Sequence, residues 1–286
     1  NTRDISSAAG FSQKLSVGYS AGILNNKVLG YPGGSLDFLG FDDGTRALPS
    51  VVYKYAGSGR LPGLATRFQP GLTQEQLREV SKGFSSSFWP SGQGGSPNYS
   101  YAASYGSAFR LLGQRVGFLG SGSFGNSFTN VSRDMNAYRG TATALYPFYE
   151  YKVQESARHV LGGVMANLGT ELGKGQKIQI RSLYTRQTDD NSRITSGPNQ
   201  DYGTDLVQIT SLNFVQRGVF STVLSGTHAM SGLQQMLVDW QASYSSSVRD
   251  EPDRRESLYE SDGKGGIKLS GRNAPLTYVF GNMNEY

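Results

Sequence analysis

The stretch that decides the fold is Tyr99–Leu111, YSYAASYGSAFRL. Its odd positions are Tyr99, Tyr101, Ala103, Tyr105, Ser107, Phe109 and Leu111. Its even positions are Ser100, Ala102, Ser104, Gly106, Ala108 and Arg110. Side chains of a strand alternate faces, so this period of two marks a ribbon with a different environment on each side. Met236–Val248 repeats the pattern, with Met236, Val238, Trp240, Ala242, Tyr244, Ser246 and Val248 against Leu237, Asp239, Gln241, Ser243, Ser245 and Ser247. Lys14–Ile23 does so with Leu15, Val17, Tyr19, Ala21 and Ile23.

Four weaker segments extend the series: Arg115–Thr129, Arg158–Leu172, Lys177–Arg186 and Leu206–Ser225. The last is apolar on both registers in places, and Arg217-Gly218 is the expected bulge. Short Gly-bearing turns at 112–114, 173–175 and 229–232 alternate with long connections at 24–97, 130–157, 187–205 and 249 onward. That order predicts an antiparallel up-and-down meander with tight turns at one rim and long loops at the other. In the first long connection, Thr73 and Gln76 form a capping box ahead of Leu77 and Val80, which predicts one short helix ending before Gly83.

Composition narrows the class. The chain has 286 residues with 27 Lys+Arg and 22 Asp+Glu, a net charge of +5 and only 17% charged residues. An average soluble domain carries roughly 25%. Gly is abundant at 38, and 12% of residues are aromatic. This argues against coiled coils, helical bundles and charged disorder. There is no Cys, so no thiolate metal site or Cys nucleophile. His159 and His228 are the only histidines; about seventy residues separate them, so no metal site or catalytic triad is expected. Mean hydropathy is −0.41, and no run of about 18 apolar residues is present. That excludes a transmembrane helix, but a barrel strand is half polar and escapes such a scan.

Strand length favours lipid over a dry core. Soluble strands average about 5–6 residues, whereas several segments here alternate for 10 or more. The polar register is largely Ser, Gly and Ala, suited to a watery or plugged lumen. Tyr99, Tyr101, Phe109, Trp240 and Tyr244 sit on apolar registers near strand ends, where membrane-interface belts form.

Three further segments, GSLDFLGFDDGTRALP at 34–49, SGTHAMSGLQQMLVDWQASY at 225–244 and VRDEPDRRESLY at 248–259, together resemble the first part of the barrel in TonB-dependent outer-membrane receptors. The opening NTRDI resembles the exit from that family's plug domain. The resemblance covers essentially the whole chain. It implies an all-β, partial and open transmembrane barrel in the outer membrane of a Gram-negative bacterium, with residues 1–10 as the end of the plug and 11–286 as about seven strands with long extracellular loops. It implies partners in outer-membrane lipid, the chain's own plug, its remaining strands, the TonB complex reached through that plug, and a scarce nutrient such as a metal chelate, cobalamin or an oligosaccharide. No cofactor, nucleic acid or enzymatic step is expected. A passive porin, or a soluble adhesin or glycan-binding sandwich, is the alternative.

The ligand-binding candidates lie in the predicted loops: Asp42, Asp43 and Arg46, and the charge-dense run Arg249, Asp250, Glu251, Asp253, Arg254 and Arg255. The first group equally suits a charged turn, and the second suits mutual pairing across loops. Gly120–Gly125, GSGSFG, matches a dinucleotide fingerprint, but it lies inside an alternating segment with no helix after it. Lys and Arg are dispersed rather than gathered in a stripe, which argues against nucleic acid.

Overall fold

The computed structural model describes residues 9–24, 27–57, 59–173, 175–230, 236–272 and 274–285. The plug-exit segment NTRDI and part of the 229–232 turn lie outside them. The fold is all-β. Its main sheet is an antiparallel meander of β1 (Gly10–Gly18), β4 (Asn98–Leu111), β5 (Gln114–Gly140), β6 (Leu145–Glu171), β7 (Gln176–Asn199), β8 (Thr204–Met230) and β9 (Met236–Ser261). The short β10 (Ile267–Leu269) and the longer β11 (Leu276–Glu285) both pair with β9. Among the described residues the sheet does not close; β1 is one edge and β11 lies at the other.

The seven alternating segments become seven neighbouring strands in chain order, but their limits differ from the sequence reading. Three of the expected long connections are mostly strand. Residues 130–157 continue β5 and β6 to a tight turn at 141–144, 187–205 continue β7 and β8 to a 3-10 turn at Gln200–Tyr202, and β9 runs on to Ser261. At about 3.3 Å per residue, a 27-residue strand is roughly 90 Å long. Apolar alternation stops halfway up, but backbone pairing needs only a neighbour that also continues. The run Arg249–Arg255 is therefore ladder, not loop.

β1 ends at Gly18, where its partner β4 begins at Asn98, and the chain then makes a single helical turn, α1 (Ala21–Leu24). The bulge lies where Phe214 and Gln216 face Asp253 and Asp250, next to Val215 rather than at Arg217-Gly218. It shifts the facing register of β9, so Trp240 and Tyr244 share a face with Asp253 and Arg255 despite opposite parity.

The remaining connection, 19–97, is long and structured. It contains the hairpin of β2 (Lys27–Gly30) and β3 (Ser91–Gly94), α2 (Ser50–Ala56) and α3 (Gln74–Gly83). The capping box at Thr73 and Gln76 forms as expected, with both reciprocal bonds present. α2, which follows Pro49, is a second helix beyond the one expected.

Candidate functional site

Register fixes what each face of the main sheet carries, because residues opposite one another point the same way. One face has the rows Phe109–Val116–Thr170–Ile178–Gly226–Trp240, Tyr105–Gly120–Ala166–Ser182–Thr222–Tyr244 and Tyr101–Phe124–Gly162–Arg186–Gly218–Val248. From the first row to the last, Arg186 is its only charged side chain among the described residues. The reverse face begins with the row Arg110–Arg115–Glu171–Lys177–Thr227–Asp239 and continues as a mixture, Gly, Ser, Gln, Asn and Arg181 interspersed with Leu119, Leu161, Met165, Leu183, Val219 and Val223. Large apolar side chains on the first face stand open: Phe11, Leu15, Tyr105, Phe109, Val164, Leu168, Ile180, Tyr184, Leu224, Trp240 and Tyr244.

Of the expected interface aromatics, Phe109 and Trp240 share the lowest of these rows. Tyr101 lies in the uppermost, and Tyr99 one step above it. Tyr244 is in the middle row rather than at a border. Trp240 stacks on His228 and donates its indole N–H to it at 2.9 Å. His159 belongs to the reverse face, bonded to Asp189 at 2.8 Å.

Above the Tyr101–Val248 row the same face changes character: it is largely polar, with Val160, Leu212 and Phe214 buried in it, and the 19–97 connection covers its β7–β9 side while the upper ends of β5 and β6 stay exposed. The lowest anchor is Arg186, which donates to the Gly40 carbonyl at 3.1 Å while Phe41 lies 4.1 Å from its guanidinium. Gly40 also accepts from Thr188 at 2.6 Å. Gly40 is left-handed (φ 76°), and a Cβ there would meet Val160 at 3.1 Å, so only glycine combines that turn with so close an approach. Further anchors follow upward. The Leu29 amide donates to Ser156 at 2.9 Å, and Thr210 donates to the Phe88 carbonyl at 2.7 Å.

Two charged motifs singled out in the sequence meet in this cover. Arg46, only 3% exposed, forks onto Asp37 at 2.7 and 2.6 Å and reaches Asp42 at 3.4 Å. Its guanidinium lies 3.9 Å from the Phe214 ring centre and 5.5 Å from that of Tyr31. Arg255 approaches the same Tyr31 at 5.4 Å, forks onto Asp253 at 2.8 and 2.5 Å, and donates to the Ser87 carbonyl at 2.7 Å. Tyr31 is thus the hub of a clasp joining the connection to β8 and β9.

Asp190 sits beside this hub. It keeps some accessible surface, yet protein surrounds it on almost every side, and that burial pushes its carboxyl up to about 6; Arg46 and Arg158 oppose the rise. Burial also raises the Tyr31 phenol, and the Asp190 charge adds to it. Sequence reasoning missed Tyr31, Asp190, Phe214 and Arg186. Tyr31-Pro32-Gly33-Gly34 reads as turn punctuation, and nothing local marks the others.

The other candidates are occupied within the protein. Asp43 accepts from the Ser35 amide at 2.7 Å and from both the amide and hydroxyl of Thr45, and these bonds hold its carboxyl well below the usual range. It closes a turn. Arg249 pairs with Glu251 at 3.4 Å, and Arg254 lies 3.8 Å from both Glu251 and Glu256. Asp250 lies opposite Gln216 and Asn282. The expected pairing across loops is instead pairing along one strand, β9. GSGSFG lies wholly inside β5. Among the described residues, no group of three His, Asp or Glu side chains is placed to hold a metal, and no helix is long and apolar enough to cross a membrane.

No protein-family model matches this chain, and no curated protein or solved structure does.

Proposed function

We propose that this chain is part of the wall of an outer-membrane β-barrel of the TonB-dependent receptor class, with the uncharged face turned to lipid. The observation that carries the reading is that face itself. It runs open across the six strands β4 to β9 from the Phe109–Trp240 row up to the Tyr101–Val248 row, where its one charge lies beneath Gly40 and Phe41. Tyr101 to Phe109 is nine residues, and a tilted strand needs about 9–11 to cross. A water-soluble sheet would cover its apolar half first; here the connection covers the polar half.

The reverse face supports a filled interior. Its residues are mostly small or polar, with Leu119, Leu161, Leu183 and Val219 standing open among them for an interior to cover, and the buried Arg181 Nε has no hydrogen-bond partner among the described residues. A plug packed against this face would supply one. The barrel would then serve a receptor that takes up a scarce nutrient, with the tall upper sheet outside the cell.

The chain has no cysteine, so single-cysteine spin labels test the reading cleanly. Val164→Cys, Ala166→Cys and Leu168→Cys are expected to report high oxygen and low nickel-chelate access when the chain is folded in lipid vesicles. Met165→Cys and Asn167→Cys should report the reverse. Equal nickel access at both sets would sink the proposal.

A further inference from the structure

The far end of the sheet, about fourteen residues beyond the Gly162 row, carries aromatic rings beside an open cleft. An open cleft of about 430 Å³ lies between the β6 start, Pro147–Glu150, and the β7 end, Pro198–Gly203. Two aromatic rings, Phe148 and Tyr149, line it, and Tyr151 and Tyr202 pack behind them in a small apolar cluster. Tyr149 stacks on Tyr151 at 4.8 Å and 16°. Phe148 packs 5.9 Å from Tyr149 and has the Arg139 guanidinium 3.6 Å from its centre. Tyr202 has the Arg272 guanidinium at 4.4 Å. The rings are fixed before any ligand arrives, which lowers the ordering cost of binding.

Planar polar groups sit among them. Glu150 accepts from Tyr138 at 3.3 Å through one oxygen, and Gln200 donates to the Pro147 carbonyl at 2.5 Å, leaving its own carbonyl oxygen as an acceptor. The charges balance. Arg139 lies 3.8 Å from Asp201, and Arg272 donates to the Asp201 carbonyl at 2.7 Å. An anionic chelate would meet two acids, Glu150 and Asp201, for two arginines already engaged. A neutral, polyhydroxylated ring matches better: one side packs on an aromatic, and its hydroxyls bond to carboxylate and amide.

We propose that this cleft binds a neutral oligosaccharide. The proposal relies on the receptor reading for the direction in which the cleft opens, away from the membrane, and not for its chemistry. It narrows the nutrient to one class.

The test is calorimetric titration of the full chain, folded in detergent micelles, with maltohexaose, cellohexaose and xylohexaose, and with a ferric tris-catecholate as the anionic comparison. At least one sugar should bind and the chelate should not. Phe148→Ala should weaken that sugar at least tenfold, while Trp240→Ala leaves it unchanged. If Phe148→Ala misfolds by circular dichroism, Glu150→Gln and Gln200→Ala decide, each expected to cost threefold or more. Silence from all three sugars, binding of the chelate alone, or affinity indifferent to these variants overturns the proposal. Sugar binding by a chain whose spin labels show no lipid contact would instead fail the wall reading and leave this one standing.

Discussion

The lower and upper halves of one sheet face follow the same ladder and the same alternation of side chains, yet they solve opposite problems. Below the Tyr101–Val248 row the face is uncharged, and large side chains such as Val164 and Leu168 stand open. Above it, Asn126, Thr188, Thr210 and Asp253 are buried. Hydrophobicity alone therefore does not decide what this protein covers. The polar half is covered because the connection supplies partners for it: carbonyls of Gly40, Phe88 and Ser87, the Leu29 amide, and the buried guanidinium of Arg46. The apolar half receives no such cover among the described residues. In the proposed setting, lipid provides it.

The strongest way to break this contrast is at the clasp. Arg46→Ala strips a buried partner from Asp37 and removes the cation against Phe214. Breaking a buried pair on one side costs roughly 3–5 kcal/mol. Limited proteolysis should then cut within 24–97 much faster, while the strand signal in circular dichroism is kept. An unchanged cleavage rate would mean that the cover is held elsewhere.

Next is a charge on the open half. Leu168 is 40% exposed, so in water Leu168→Arg would cost almost nothing. In a bilayer the penalty is about 2–4 kcal/mol at the midplane and falls towards the interfaces, so in the Leu168 row, one below the middle, it should be about 1–3 kcal/mol. A urea titration of refolding into vesicles should show that loss for Leu168→Arg, and little for Asn167→Arg on the reverse face. Equal midpoints would remove lipid from the account.

Acidity tunes the covered half more gently. The Asp190 carboxyl is raised to about 6, so in the fold it holds its proton more tightly than an unfolded carboxylate does. Its contribution is fully present below the ordinary carboxylate range and is lost as pH rises through about 6. The cover should therefore resist protease better at pH 5 than at pH 7.5. Asp190→Asn should flatten that difference, and a difference that survives the substitution would assign it to another group. The smallest effect is at α3, where Thr73→Ala removes a helix cap worth about 1 kcal/mol. Its helix should exchange amide hydrogens faster with no change at the clasp.

Three sequence segments suggested the proposed receptor reading, and two of them reach the clasp. Both Arg46 in the first and Arg255 in the third lie against Tyr31. Read as sequence, these runs look like loop charges open to a ligand. Arg46, Asp253 and Arg255 are instead buried structural partners, and the open aromatic surface lies further along, beside Phe148 and Tyr202. Loop-like composition told nothing of this, because Ser, Asn, Thr and charged residues pair in a ladder as readily as they turn in a loop.

The sequence by itself determined the class of fold, the seven strands in their order, the tight turn at 112–113 and the helix capped by Thr73 and Gln76. Each follows from local periodicity or from bonds between residues a few positions apart. Tertiary structure alone decided how far the strands run, where β9 changes its facing register, and which half of the face is covered. Those depend on backbone partners and on a clasp whose members, Tyr31, Arg46, Asp190, Phe214 and Arg255, are far apart in the chain and meet only when the connection folds onto the sheet.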